Sequence, residues 1–159
     1  MEEEILMNKK RFLAFNLSNL KEVLKSIGIS VDINNSKVII RGDAVNVMLG
    51  KEVITAFNRG FDEDASKLLL NEDYFLEIIL LDSYTKNKKR MIKLKGRIIG
   101  RDGSIKAKIE RSTNTKISVF GKTISIIGKY DEVDKAKRII NKILSGKSLS
   151  VAFGSINYG

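Results

Sequence analysis

The chain has no histidine and no cysteine. Imidazole bases, thiolate nucleophiles and metal centres built on either residue are excluded, and catalysis would have to rest on carboxylates, Lys, Ser, Thr or Tyr. Other residues offer binding chemistry. Gly100-Arg101-Asp102-Gly103 is a glycine-bracketed loop preceded by Gly96-Arg97-Ile98-Ile99. Glycines let a foreign backbone approach where a Cβ would stand in the way. Amide groups at the start of a following helix face an anion. Arg97, Arg101 and Lys106 supply positive charge around the loop, with Lys116 beyond it; Asp102 is the one carboxylate within the loop. Ile98 and Ile99, with Ile117 and Val119, suit an apolar floor for a base whose phosphates follow Gly100 and Gly103; ordinary core packing is the alternative for all four and the better reading for some. On the floor reading, exposed backbone groups of the 116–119 strand read base edges.

Charge distribution agrees with an anionic ligand. The chain has 159 residues and a net charge of +10. Residues 1–80 hold 10 basic and 13 acidic side chains, net −3, whereas residues 81–159 hold 19 and 6, net +13. Lys86 to Lys122 alone carries net +11. Such a concentration repels itself unless something anionic neutralises it, and nucleic acid is a leading candidate; a solvated basic face is the plainer alternative. Met1-Glu2-Glu3-Glu4 is acidic where a secretory signal would be basic. No apolar run approaches the ~18 residues of a membrane span. A cytoplasmic protein without metal or cofactor is expected.

The loop must be positioned by helices and strands, and these recur. Displacing the sequence by 86 residues lays Val31, Ile33, Val38, Ile40 and Gly42 on Ile117, Val119, Ile124, Ile126 and Gly128, and lays Val47, Ile54, Phe57 and Gly60 on Val133, Ile140, Ile143 and Gly146. Each copy reads as an alternating strand (29–33; 115–119), a short turn, a second strand (37–41; 123–127), a glycine and a helix. Asp43 and Asp131 are the expected helix caps, and Gly60 and Gly146 the stops. Helices precede both strand pairs: one capped by Ser18 and closed by Gly28, the other carrying Ile105 and Ile109 and closed by a left-handed Asn114. Lys88–Ile99 reads as a further helix, 74–81 as a buried strand, and 62–70 as a short linking helix. The first copy is expected to be shorter, with a strand near 10–15 and no room for the extra helix. Gly100–Gly103 maps back onto Ala14-Phe15-Asn16-Leu17, without glycine or charge.

Two patterns point elsewhere and fail. Gly121-Lys122-Thr123 ends like a phosphate-binding P-loop, but Lys116 stands where that motif needs glycine. Asp131, Glu132 and Asp134 cluster at a helix N-terminus, where acids complement the dipole, and Asp102 alone cannot build a two-metal nuclease.

Ile98-Ile99-Gly100-Arg101-Asp102-Gly103 between two helices, with the Ile109 anchor and the strand–turn–strand–helix that follows, resembles a type-I KH domain. KH domains clamp about four nucleotides of single-stranded RNA at this loop. The resemblance implies an α+β fold of two tandem type-I KH-like units, each a three-stranded sheet packed with helices. The first is degenerate and shortened (8–60), followed by a linking helix (61–73), the KH domain with the G-x-x-G loop (74–146) and a C-terminal tail (147–159). Asn58-Arg59-Gly60-Phe61, Tyr74–Ile78, Tyr84–Lys89, Lys95–Gly103 and Thr115–Thr123 together resemble the partner-of-Nob family of small-subunit ribosome assembly factors in its compact archaeal form. That resemblance implies a non-enzymatic protein that binds the 3′ region of small-subunit rRNA during rRNA processing. It implies the Nob endonuclease and the alpha subunit of initiation factor two as partners. The chain departs from the family at Ser104, where a basic residue is usual, at Asn114, where glycine is usual, and in lacking a basic C-terminal helix. A general single-strand binder and a protein-interaction scaffold are the rival readings.

Overall fold

The computed structural model describes residues 1–154. The chain divides into two compact units, the first covering Met1–Tyr74 and the second starting at Phe75. Both have the order β-α-α-β-β-α, and in each the last strand lies at the centre of a three-stranded sheet.

The first unit contains β1 (Glu2–Leu6), α1 (Lys9–Leu17), α2 (Leu20–Ser26), β2 (Ser30–Asn34), β3 (Lys37–Arg41) and α3 (Ala44–Asn58), then a short α4 (Glu63–Lys67). Both β1 and β2 pair antiparallel with β3. The acidic start is therefore a strand, and its partners explain it. Arg41 binds Glu2 at 2.6 Å and also Asp32, Lys37 binds Glu4 at 2.8 Å, and Lys51 binds Glu3 at 3.2 Å. Each exposed pair is worth ~0–1 kcal/mol. A slip of one residue would turn all of them to the wrong face, so together they favour this register.

The strand expected near 10–15 is instead α1. Asn8 caps it, its side chain accepting from the amides of Lys10 (3.0 Å) and Arg11 (3.3 Å). The helical turn buries Phe15, whose ring meets Phe57 edge-on at 6.1 Å. The helix left out of the first copy is thus present. Ala14-Phe15-Asn16-Leu17 lies within α1, so no loop stands there at all. The expected linking segment packs with the first unit: Phe61, Ala65 and Leu69 are buried, and α4 contacts α3.

The second unit contains β4 (Tyr74–Leu80), α5 (Lys88–Ile99), α6 (Ser104–Thr113), β5 (Lys116–Phe120), β6 (Thr123–Lys129), α7 (Tyr130–Leu144) and α8 (Leu149–Gly154). The sheet order is β4-β6-β5, with β5 and β6 antiparallel and Ile117 opposite Ile126. Its core joins Ile79 and Leu81 with Met91, Leu94 and Ile98 of α5, Ile109 of α6, Ile124 and Ile126 of β6, and the apolar face of α7. β4 is an edge strand, not a wholly buried one: Phe75 and Leu80 are exposed. Helix α7 begins at Tyr130, one residue before the expected Asp131 cap, with the Lys129 amide donating to the Glu132 carboxylate at 3.2 Å. The expected tail starts with α8, which buries Ala152 and Phe153; residues 155–159 lie outside the described residues.

The 86-residue displacement holds in the backbone. Gly28 and Asn114 both take positive φ (87° and 55°) at the helix end before the hairpin. Asn35 and Gly121 do so in the hairpin turns, and Gly60 and Gly146 after the last helix.

Candidate nucleic-acid interface

Helix α5 delivers the loop. The Asn87 side chain caps it by accepting from the Arg90 amide at 3.0 Å, and Met91, Leu94 and Ile98 bury one stripe. The helix stops at Gly100, whose φ of 73° and ψ of 177° form a backbone state open essentially to glycine alone. A Cβ there would lie 2.4 Å from Ile105 Cγ1 and 2.8 Å from the Ile105 amide nitrogen. Gly100 thus lets the chain reverse directly against the first turn of α6. Asp102 and Gly103 follow in left-handed conformations (φ 55° and 76°). Nothing lies within 4 Å of where a Gly103 Cβ would be, so that side of the loop is open. Arg101 and Asp102 are exposed at its tip. The loop opens onto the N-terminal, positive end of α6.

The remaining expected contacts divide into two groups. Ile99 and Val119 are half-buried beside the loop and strand, and Lys116 is exposed at the start of β5. These keep surface to offer. Arg97, Ile98 and Ile117 do not. Ile98 has no exposed surface and Ile117 only 4%, so both are core residues and cannot form a floor for a base. The Arg97 guanidinium donates to the carbonyl oxygens of Ile143 (2.7 Å) and Lys147 (2.9 Å), tying the end of α5 to the end of α7. In the first unit Arg11 donates to the carbonyls of Phe57 (2.8 Å) and Phe61 (2.7 Å). Those three residues are Arg97, Ile143 and Lys147 displaced by 86. The same strut stands in the unit that has no loop, so it serves the fold and not a phosphate.

Lys106 is only partly available, since its Nζ lies 3.5 Å from the Glu110 carboxylate. Glu110 is the residue that sequence reasoning missed. Its other oxygen accepts from the Ile117 amide at 2.9 Å, on the strand expected to read base edges. Any base seeking that donor must displace a carboxylate. Its spacing from Ile117 gives no helical or strand signal, because the contact joins two elements. Lys108, also on α6, stacks over the Phe153 ring of α8 at 4.2 Å.

The arrangement can hold an extended polyanion: a loop open on one side, an exposed arginine at its tip with no ion-pair partner among the described residues, and the N-terminus of α6. Among the described residues no group of three or more His, Cys, Asp or Glu side chains is placed to hold a metal ion, and no helix is long and apolar enough to cross a membrane.

Comparison with known proteins bears on the family and the fold. A family profile for the second KH domain of PNO1, described as a eukaryotic-type KH domain (KH-domain type I), matches residues 75–157. A KH domain-containing protein of Methanocaldococcus jannaschii is 31% identical over 134 residues, covering 80% of this chain and 59% of that protein. The pre-rRNA-processing protein PNO1 of Phaeosphaeria nodorum is 30% identical, covering 80% and 48%. The chain thus spans about half the length of the curated relatives it matches. The crystal structure of Dim2p from Pyrococcus horikoshii superposes with a TM-score of 0.87 at 26% identity, covering 100% of this chain and 99% of that one. A chain of the a/eIF2alpha–aDim2p–rRNA complex from the same organism gives 0.86 at 26% identity, covering 99% and 93%. With a type-I KH unit built around its G-x-x-G loop and these relatives on both sides, the chain belongs to the PNO1/Dim2 family of KH-domain proteins.

Proposed function

We propose that this protein is a non-enzymatic single-stranded RNA-binding factor that grips the 3′ region of small-subunit rRNA during rRNA processing and ribosome biogenesis. The carrying observation is the loop from Gly100 to Gly103, pinched against Ile105 on one side and open on the other, in the most cationic part of the chain. Gly100 turns the chain against α6, Gly103 on the open side admits the RNA backbone, Arg101 and the partly paired Lys106 neutralise phosphates, and Asp102 contributes backbone geometry more than charge. Ile99, Val119 and Lys116 border the bases. Arg97, Ile98 and Ile117 hold the frame. Relatives named as pre-rRNA-processing proteins, and a structural neighbour solved with rRNA and a/eIF2alpha, support the ribosomal assignment. The alpha subunit of initiation factor two and the Nob endonuclease are the proposed protein partners, and the cytoplasm is the proposed site of action.

The test is fluorescence anisotropy with a labelled strand from the 3′ end of small-subunit rRNA, a scrambled strand and its DNA version, for wild type and Arg101→Asp. Preference for the rRNA strand that is lost in Arg101→Asp is the expected result. Equal binding to all three strands would leave a general single-strand binder. Binding to none would leave a protein-interaction scaffold.

A further inference from the structure

Helix α5 does more than deliver the loop. Its first two turns have no counterpart in the unit that lacks the loop: Lys9, the first residue of α1, falls on Lys95 under the 86-residue displacement. Those extra turns hold Lys88, Lys89, Arg90 and Lys93. All four are exposed, and none has an ion-pair partner among the described residues. The first unit, by contrast, pairs Lys37, Arg41 and Lys51 with its own acids.

Gly96 is the second anomaly. It lies inside α5, where glycine weakens a helix. It has no positive φ, and a Cβ there would meet nothing within 4 Å. The equivalent position of α1 is Lys10, so the fold accepts a full side chain. Neither packing nor backbone conformation asks for this glycine. The remaining reason is close approach of something from outside. Lys89, Lys93, Gly96 and Gly100 are spaced four, three and four residues apart, which places them in one stripe along the helix. Their stripe lies opposite the one that Met91, Leu94 and Ile98 bury.

We propose that the outer ridge of α5 is a second phosphate-binding track, continuous with the loop. The RNA strand leaves the G-x-x-G clamp, passes over Gly96 where no side chain stands off its backbone, and lays one phosphate on Lys93 and one on Lys89. Gly96 and Lys89 are about 10 Å apart along the helix axis at 1.5 Å per residue. The footprint is therefore longer than the roughly four nucleotides of a KH clamp. This rests on the RNA-binding reading of the loop.

Length dependence tests it. Strands of about four and about eight nucleotides, both from the 3′ end of small-subunit rRNA, are titrated against wild type, Lys89→Glu/Lys93→Glu and Arg101→Asp. The longer strand is expected to bind about tenfold more tightly, and its salt slope to be steeper by about 1.4, at about 0.7 per phosphate on a single strand. In the double variant the longer strand falls to the level of the shorter one, whose affinity does not change. Gly96→Ala, which has room for its methyl group, weakens the longer strand while raising the thermal midpoint. A length gain that survives the double variant, equal loss for both strands, or no length gain in wild type overturns the track. Two unaffected strands in Arg101→Asp would overturn the clamp instead, which separates the two failures.

Discussion

Gly100 and Gly103 share a motif, yet the structure assigns them different costs when replaced. At Gly100 an alanine meets two obstacles. Its φ of 73° with ψ of 177° is a conformation essentially reserved for glycine, at ~1–3 kcal/mol for another residue. Its Cβ would stand 2.4 Å from Ile105 Cγ1 and 2.8 Å from the Ile105 nitrogen, and the second of these is backbone that cannot swing aside. Overpacking of this kind costs ~1–3 kcal/mol. Gly100→Ala should therefore lose roughly 3–4 kcal/mol of stability in the second unit. At Gly103 the backbone is ordinary left-handed helix and the space is open, so alanine should lose only ~1–2 kcal/mol. Urea unfolding, followed through the transition of the second unit, measures both. With a slope of about 2 kcal/mol/M the midpoint of Gly100→Ala falls by roughly 1.5–2 M, and that of Gly103→Ala by less than about 1 M. Equal losses, or a greater loss at Gly103, would refute the assignment of Gly100 as the point where the chain turns against α6.

Four other substitutions probe the scaffold and the binding surface. Arg97→Ala removes both donors of the strut and should cost about 2 kcal/mol by denaturant unfolding; the salt slope of RNA binding should match wild type, whereas Arg101→Ala should make it shallower by about 0.7. Glu110→Gln removes a negative charge beside the loop and frees Lys106, and should tighten RNA binding about two- to fivefold in an anisotropy titration. Glu52 is exposed on α3, yet partial desolvation by its surroundings raises its carboxyl above the ordinary 4.5, against a smaller opposing effect of Lys51. Its ionised form therefore destabilises the first unit above the raised value, and the penalty disappears as pH falls through that value to below the ordinary one. Glu52→Gln should raise the thermal midpoint at neutral pH and leave it unchanged below the ordinary glutamate range.

Local signals in the sequence were sufficient where the physics is local. Lys88–Ile99 was legible as a helix because Met91, Leu94 and Ile98 repeat at the helical period, and the hairpins because apolar residues alternate twice at the same displacement. The loop announced itself through its glycines and charge. What escaped depends on distant partners. Glu2-Glu3-Glu4 has poor strand propensity, and it becomes β1 through distant partners: the ladder with β3, the burial of Ile5, and the pairs with Lys37, Arg41 and Lys51. A strand was expected near residues 10–15, but the Asn8 cap and the packing of Phe15 on the Phe57 ring draw them into a helix. Within the site, the sequence set Arg97 and Arg101 together around the loop and gave no sign that Arg97 donates to two carbonyls while Arg101 has no ion-pair partner among the described residues. The assignment of Ile98 and Ile117 to a floor failed for the same reason: burial belongs to the packed unit.

The paired arginine struts also bear on ancestry. Arg11 with Phe57 and Phe61, and Arg97 with Ile143 and Lys147, form the same three-point connection at the same spacing. A connection repeated in this detail at one displacement is what duplication of a single strut-bearing unit would leave. Around it the two units differ: α1 runs through the positions that form the loop in the second unit, and Lys37, Arg41 and Lys51 pair with the first unit's own acids. The strut is thus independent of the loop, and its loss should destabilise either unit whatever each binds.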